Sequence, residues 1–455
     1  MTGQVMRRKI YDKLLEWKNN RRGETALLVE GARRVGKSYI VEEFARREYR
    51  SYILLDFNIV SDDIRDLFNH YINQLDLFFM YLASYTNSHL YERETLIIFD
   101  EVQFCPKARA AIKYLVADGR YDYIETGSLV SIRKSVENIL VPSEEESIEM
   151  YPMDFEEFLW AMNENSLMDF IQHQYLNGLA MGQAMHRRAM DFFRQYLIVG
   201  GMPQVVQKYV STHSFNEVDR VKRRILTLYR NSIQQYAGNY AIKVMSLFDE
   251  IPSQLQKHEK KFRMSDISKD ARLRDYESAF LWLADAQIIN ICFNTTEPSL
   301  GLNLKRDSIT LKCYMADTGL LISHAFNERG IVSEEIYQKI LKDKLEMNSG
   351  MIIENIVAQM LRASGHRLFF YSNYDKEDKS SRMEIDFLIS KSKISSRHNI
   401  SPIEVKSSVR YTLTSLKKCM AKFQNAVGTP YVLHTADYKQ EDGITYLPLY
   451  MTPLV

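Results

Sequence analysis

Ala26-Leu-Leu-Val-Glu-Gly31-Ala-Arg-Arg-Val-Gly36-Lys37-Ser38-Tyr39-Ile-Val-Glu-Glu-Phe-Ala-Arg46 runs from an apolar strand pattern, through a loop, into a helical pattern. Within it two glycines are separated by four residues and followed by Lys and Ser, the spacing of a phosphate-binding loop in its strand-loop-helix setting. Glycines let the backbone curl so that successive N–H groups and the helix start point at phosphate oxygens. Lys37 adds a positive charge, and the Ser38 hydroxyl can ligate Mg²⁺. The residues expected to line a nucleoside triphosphate are therefore Gly31, Ala32, Arg33, Arg34, Val35, Gly36, Lys37, Ser38 and Tyr39. The exposed-loop reading of the Arg33-Arg34 pair stands beside one in which either side chain reaches phosphate or a partner.

Working outward, the chain has 455 residues, too many for one ordinary core, so two to four domains are expected. An apolar fraction of 45%, a charged fraction of 26% and a net charge of +1 fit a globular protein with no global pull toward polyanions or membranes. Any nucleic-acid binding must use a local patch. Cys105, Cys292, Cys313 and Cys419 are far apart, and the ten histidines form no H-E-x-x-H pattern, so neither a disulfide framework nor zinc is expected. The apolar cluster Leu77–Ala83 is too short to span a membrane and the N-terminus lacks a signal-peptide core, so a cytoplasmic location is expected.

From residue 1 to about 160, strand patterns at Ala26–Glu30, Tyr52–Phe57, Thr95–Asp100 and Tyr121–Thr126 alternate with helical ones, predicting a parallel sheet with crossover helices. Residues 161–248 read as a helical lid with one bend at Gly200-Gly-Met-Pro203. In 249–325, two helical stretches followed by β-like Asn290–Phe293 and Ile309–Met315 suggest a winged helix. Residues 326–455 return to α/β, with a helix near Gly350–Ser364 and strands at Arg367–Tyr371, Glu384–Ile389, Ile403–Lys406 and Tyr431–His434. Ser143-Glu-Glu-Glu-Ser147 reads as a short acidic loop.

Hydrolysis needs carboxylates near the phosphates. Thr95-Leu-Ile-Ile-Phe-Asp100-Glu101 supplies two at the end of an apolar strand, with Asp100 expected to hold the metal and Glu101 to act as base. Ile124-Glu-Thr126-Gly-Ser128 ends another strand in hydroxyls able to orient the lytic water. In that order Glu30–Ser38, Ile97–Gln103, Glu125–Ser128, Tyr151-Pro-Met-Asp-Phe-Glu-Glu-Phe-Leu159, Gly200-Gly-Met-Pro203 and Tyr314-Met-Ala-Asp-Thr-Gly-Leu-Leu321 resemble the prokaryotic AAA+-like ATPases that carry a C-terminal domain of unknown function. The resemblance implies ATP as nucleotide, Mg²⁺ as cofactor, and an ATPase core followed by winged-helix and nuclease-like parts. By the same resemblance Arg7 and Arg8 flank the adenine. One departure is that Val141–Met150 lacks the Gly-Arg that many relatives carry there; Arg133 and Lys134 are substitutes for an arginine finger, or simply a solvated helix start.

A second constellation lies downstream. Glu384-Ile-Asp386-Phe-Leu-Ile, Ile403-Glu404-Val-Lys406 and the earlier Glu354 resemble the PD-(D/E)XK nuclease superfamily. Alternation puts Glu404 and Lys406 on one strand face. If Asp386 approaches that face, Asp386 and Glu404 can bind Mg²⁺ while Lys406 stabilises charge on a scissile phosphate. Eight Lys or Arg between Lys391 and Lys422 face the single acid Glu404, either a phosphate-binding patch or a solvated basic face. The Arg220-Val-Lys-Arg-Arg224 cluster is expected to line a nucleotide cleft or a subunit contact. The function expected is a Mg²⁺-dependent ATPase coupled to a nuclease-like domain acting on or near DNA or RNA. The alternative is an ATP-controlled switch or interaction protein whose nuclease-like domain is inactive; an oligomer fits either.

Overall fold

A computed structural model describes residues 6–127, 143–257, 261–299, 301–326, 334–342, 349–373, 381–390, 399–408 and 410–455. The chain divides into two compact units, 1–151 with 285–287, and 152–284 with 288–455. No helix among the described residues is long and apolar enough to cross a membrane.

The first unit is built on five parallel strands: β1 Ala26–Gly31, β2 Ser51–Asp56, β3 Thr95–Asp100, β4 Asp122–Gly127 and β5 Glu145–Met150, in the order β2-β3-β4-β1-β5. All six residues of β1, of β3 and of β4 are buried, as expected of a parallel sheet covered on both faces. Strand alternation explains how. Leu27, Val29, Leu96 and Ile98 pack with helices Ile10–Arg21 and Lys37–Glu48 on one face. Leu28, Ile53, Ile97 and Phe99 pack with helices Asp62–His70, Leu75–Thr86 and Pro106–Asp118 on the other.

The acidic stretch read as a loop is instead the start of β5, which pairs with β1 from Ala26 opposite Glu145 to Gly31 opposite Met150. Its acids are not all solvated. Arg109, on helix Pro106–Asp118, reaches Glu145 at 2.9 Å and Glu125 of β4 at 2.5 Å, with Arg109 and Glu125 fully buried. Pairing to β1 and an arginine from another element make an acid-rich segment into a strand, which local propensity could not show.

The second unit begins with helices Phe155–Ala161, Asn165–Asn177, Gln183–Val199, Pro203–Thr212, Phe215–Tyr236 and Ala241–Gln256. Its sheet contains β6 Ile289–Thr295, β7 Arg306–Met315, β8 Phe369–Asn373, β9 Met383–Ser390, β10 Ile400–Val405, β11 Tyr431–His434, β12 Lys439–Glu441 and β13 Ile444–Pro448, ordered β12-β13-β11-β10-β9-β8-β6-β7. The β6–β7 pair, expected as the wing of a separate winged helix, thus joins the C-terminal sheet, because β6 pairs in parallel with β8. Their separation along the chain hid that pairing.

Three of the quoted motifs meet inside this unit. Met153 donates its N–H to the Gly201 carbonyl at 2.7 Å and its own carbonyl accepts from the Tyr196 hydroxyl at 2.8 Å. Asp317 accepts from Gly201 N–H at 2.6 Å and caps helix Thr318–Ala325 through Leu320 N–H at 2.8 Å. A Cβ on Gly201 would lie 2.1 Å from the Met153 carbonyl oxygen, so only glycine permits this approach.

Candidate functional site

Because β1, β3 and β4 are parallel, their C-terminal ends share one edge of the first sheet, and the loop after β1 opens there. Gly36 adopts φ 100 as it enters helix Lys37–Glu48, and Arg34 also lies in the left-handed region at φ 71. Gly31 is needed for space, since a Cβ there would sit 2.7 Å from the Met150 carbonyl oxygen. The Lys37 ammonium is folded back on the loop, donating to the carbonyls of Gly31 at 2.9 Å and Ala32 at 3.2 Å. Burial pushes Lys37 below the ordinary lysine range, with Glu101 and Asp100 opposing. Arg33, Arg34 and Tyr39 are exposed. Arg8 is buried and donates to the carbonyls of Val35 at 3.1 Å and Tyr151 at 2.7 Å, bracing the loop from beneath.

β4 lies between β1 and β3, so Thr126 at its end stands beside Asp100. The hydroxyls of Ser38, at 2.7 Å, and of Thr126 both donate to Asp100 Oδ1. Burial raises the Asp100 carboxyl above its ordinary value, and the two hydroxyls offset part of that rise. Glu101 takes a left-handed backbone, φ 53, its N–H directed at Thr126 Oγ1 at 3.3 Å and its carboxylate accepting from the Gln103 amide at 2.5 Å. Thus Lys37, Ser38, Asp100, Glu101 and Thr126 converge. Gln103 was not singled out by sequence; its place two residues after Glu101 was the available signal. A serine hydroxyl touching a carboxylate is a hard-oxygen donor pair of the kind Mg²⁺ takes, so these residues fit the ion. Ser128, Arg133 and Lys134 lie outside the described residues.

In the second unit β10 runs antiparallel to β9 with Ile403 opposite Phe387, so Asp386 and Glu404, the next residues along, face each other. Asp386 accepts from Val405 N–H at 2.8 Å, and Lys406 donates to Glu404 at 2.5 Å. Glu354, on helix Ser349–Ala363, joins through a residue that sequence reading missed. The Lys312 ammonium, on β7, lies 2.9 Å from Glu384, 3.3 Å from Glu354 and 3.8 Å from Asp386. Tyr314, two residues along the same strand, donates to Glu354 at 2.5 Å. A lysine set in the apolar run Ile309-Thr-Leu-Lys-Cys-Tyr-Met315 was the signal. Burial alone would push Lys312 down, but the three carboxylates outweigh it and hold the ammonium well above its ordinary value. Burial first, then the Asp386 charge, pushes Glu404 up to about 8 in spite of Lys406.

Divalent-ion ligands must crowd their oxygens around one point. Here a lysine nitrogen stands among three of the acids, and among the described residues no group of three or more His, Cys, Asp or Glu side chains is arranged to hold an ion. The C-terminal acids therefore do not fit Mg²⁺ in this arrangement. Of the downstream basic run, Lys391, Lys393 and Arg397 lie outside the described residues. Lys418 donates to the Arg382 carbonyl at 3.2 Å and Lys417 approaches Asp442 at 3.8 Å. In the Arg220–Arg224 cluster, Lys222 is buried on the Ile198 carbonyl at 2.9 Å and Arg223 pairs with Asp219 at 2.7 Å, so both are engaged within the second unit.

A five-stranded parallel sheet with this loop and acid pair defines the class of the first unit, a P-loop nucleotide-binding domain. Residues 23–159 match the family model described as "AAA domain", which supports an AAA-type ATPase fold for this part of the chain. Residues 190–329 and 349–452 match two models described as domains of unknown function, DUF8612 and DUF4143. No curated protein matches the sequence. Among solved structures, a Walker-type ATPase of Pyrococcus abyssi is similar at 15% identity and TM-score 0.38, covering 70% of this chain and 96% of its own. The ORC2 protein of Aeropyrum pernix in its ADP form is similar at 12% identity and TM-score 0.29, covering 76% and 96%. DnaA from Aquifex aeolicus, bound to AMPPCP, is similar at 12% identity and TM-score 0.26, covering 63% and 95%. Likeness at this level carries no inference about what this chain binds.

Proposed function

We propose that the protein is a Mg²⁺-dependent ATPase coupled to a C-terminal nuclease-like domain that acts on or near nucleic acid. The observation that carries the first half is the meeting of Ser38, Asp100 and Thr126 at the mouth of the loop. Ser38 and Asp100 would hold the ion, which when bound supplies charge neutralisation to the phosphate oxygens. Lys37, now resting on the Gly31 and Ala32 carbonyls, is the donor that a β- or γ-phosphate would draw away from them. Glu101, fixed by Gln103 and by its own left-handed backbone, takes the proton of the attacking water. Thr126 orients Asp100 against that water. Arg8 ties the loop carbonyl of Val35 to that of Tyr151, and ADP and ATP would share the same cradle.

The nuclease-like half rests on Asp386, Glu404 and Lys406 lying together on adjacent strands, with Glu354 behind them. A second reading, an ATP-controlled switch or interaction protein with an inactive nuclease-like domain, is favoured by Lys312 among those acids. One experiment addresses both halves: ATP turnover, and cleavage of DNA and RNA with Mg²⁺ or Mn²⁺, in the wild type, Lys37→Ala, Glu101→Gln and Asp386→Ala. Lys37→Ala should lose nucleotide binding, whereas Glu101→Gln should keep binding and lose at least about a hundredfold in turnover. A Glu101→Gln chain that hydrolyses ATP at the wild-type rate would remove the proposed base. Cleavage abolished by Asp386→Ala establishes the nuclease; binding without cleavage supports the switch.

A further inference from the structure

We propose that the Lys312 ammonium takes the place of a divalent cation in the C-terminal acid cluster, so that this site is neutralised from within and binds no metal ion. The proposal rests on the nuclease-like reading only for identifying Asp386 and Glu404 as the acids that would otherwise hold the ion.

The geometry excludes both cations at once. Lys312 Nζ lies 2.9, 3.3 and 3.8 Å from the carboxylate oxygens of Glu384, Glu354 and Asp386. Mg²⁺ takes oxygens at about 2.1 Å in an octahedral shell, so an ion shared by Glu354, Glu384 and Asp386 would have to stand where the nitrogen stands. Lys312 has little room to leave. Its side chain is 1% exposed, and Nζ lies 5.0 Å from the centre of the Phe370 ring. Turning the ammonium away from its carboxylates into those apolar surroundings carries the desolvation penalty of an unpaired buried charge. The remaining charges are also matched. Lys406 holds Glu404 at 2.5 Å and Lys261 approaches Glu384 at 3.9 Å. Glu354, Glu384, Asp386 and Glu404 therefore meet three ammonium groups, which offset most of the field that would draw in a dication.

A purely structural ion pair would behave differently from a cation stand-in, and metal counting separates the two. The nucleotide-free full-length chain carrying Asp100→Asn, which silences the loop site, is titrated with Mn²⁺ and free ion is followed by electron paramagnetic resonance. The expected result is no Mn²⁺ whose binding depends on Asp386. Adding Lys312→Met should create a site at least about tenfold tighter than any in the parent, and Asp386→Asn should then remove it. Should Lys312→Met prove unfolded by circular dichroism, Lys312→Met with Glu354→Gln removes one acid along with the lysine and is titrated in its place. Stoichiometric Mn²⁺ in the parent that disappears with Asp386→Asn overturns the proposal, as does a folded Lys312 variant that gains no site. The nuclease-like reading is tested separately by nucleic-acid binding and cleavage: metal-dependent cleavage lost in Asp386→Ala would overturn the present proposal too, whereas binding without cleavage is what it expects.

Discussion

Glu404 is an acid that folding prefers protonated. Burial and the facing Asp386 lift it from an ordinary value of 4.5 to about 8. The folded chain therefore keeps a proton that the unfolded chain releases. Its contribution to stability is full below about pH 4.5 and is lost as pH rises through 8. Each pH unit of displacement corresponds to about 1.4 kcal/mol, so the ceiling on this loss is about 5 kcal/mol. Urea unfolding of the wild type and of Glu404→Gln between pH 4.5 and 8.5 should show the wild type losing ground to the variant as pH rises. A difference that is flat with pH would mean that Glu404 is already ionised in the folded chain. The contrast with Asp100 is instructive. It too is raised by burial, but the Ser38 and Thr126 hydroxyls donate to it and favour the charged form that an ion-binding role requires.

At the scale of elements, the approach of Gly201 to the segment Pro152–Asp154 joins helix Gln183–Val199, helix Pro203–Thr212 and the cap of Thr318–Ala325. Gly200 holds φ 79 and Pro203 opens the next helix, so the chain turns sharply while the Gly200 N–H donates to the Tyr196 carbonyl and the Gly201 N–H to Asp317. Gly201→Ala should lower the stability of the second unit by about 2–4 kcal/mol, because its methyl would overlap the Met153 carbonyl, which is backbone and cannot swing aside. Calorimetry or urea unfolding reads this directly, and a loss under about 0.5 kcal/mol would show that the contact relaxes. Helix Pro106–Asp118 plays a comparable part in the first unit, delivering Arg109 to two glutamates on different strands and so making β5 a member of the sheet.

For the whole molecule, ligand response is read unit by unit. A nucleotide that binds the folded first unit stabilises it by mass action, about 2.7 kcal/mol at a hundred times its Kd. Thermal unfolding with and without a non-hydrolysed ATP analogue should show an upward shift in the transition of the first unit. Lys37→Ala should remove that shift while leaving the unliganded transition nearly in place. An equal shift in Lys37→Ala would place the nucleotide elsewhere. Any nucleic-acid affinity of the second unit should weaken with salt, since only local lysines and arginines are available in a chain of net charge +1.

Much of the first unit was legible because its information is local. The glycine spacing, Lys37, Ser38 and the apolar strand ending in Asp100-Glu101 each report a backbone requirement or a chemical role within a few residues. The fully buried strands also announced themselves as apolar runs. In the C-terminal sheet the alternation of Ile403-Glu-Val-Lys406 was readable, as was the apolar strand around Asp386. The sequence by itself determined that this chain builds a phosphate loop beside an acid pair and carries a second group of acids and a lysine on strands. Tertiary structure alone decided three further matters. Thr126 meets Asp100 because β4 lies between β1 and β3. β5 is a strand because β1 pairs with it and Arg109 holds Glu145. The second group of acids surrounds Lys312, because β6 pairs with a strand far along the chain and carries β7 into the same sheet. Each of these depends on which strands become neighbours. Strand order is set by the burial of whole faces, and no local pattern encodes it.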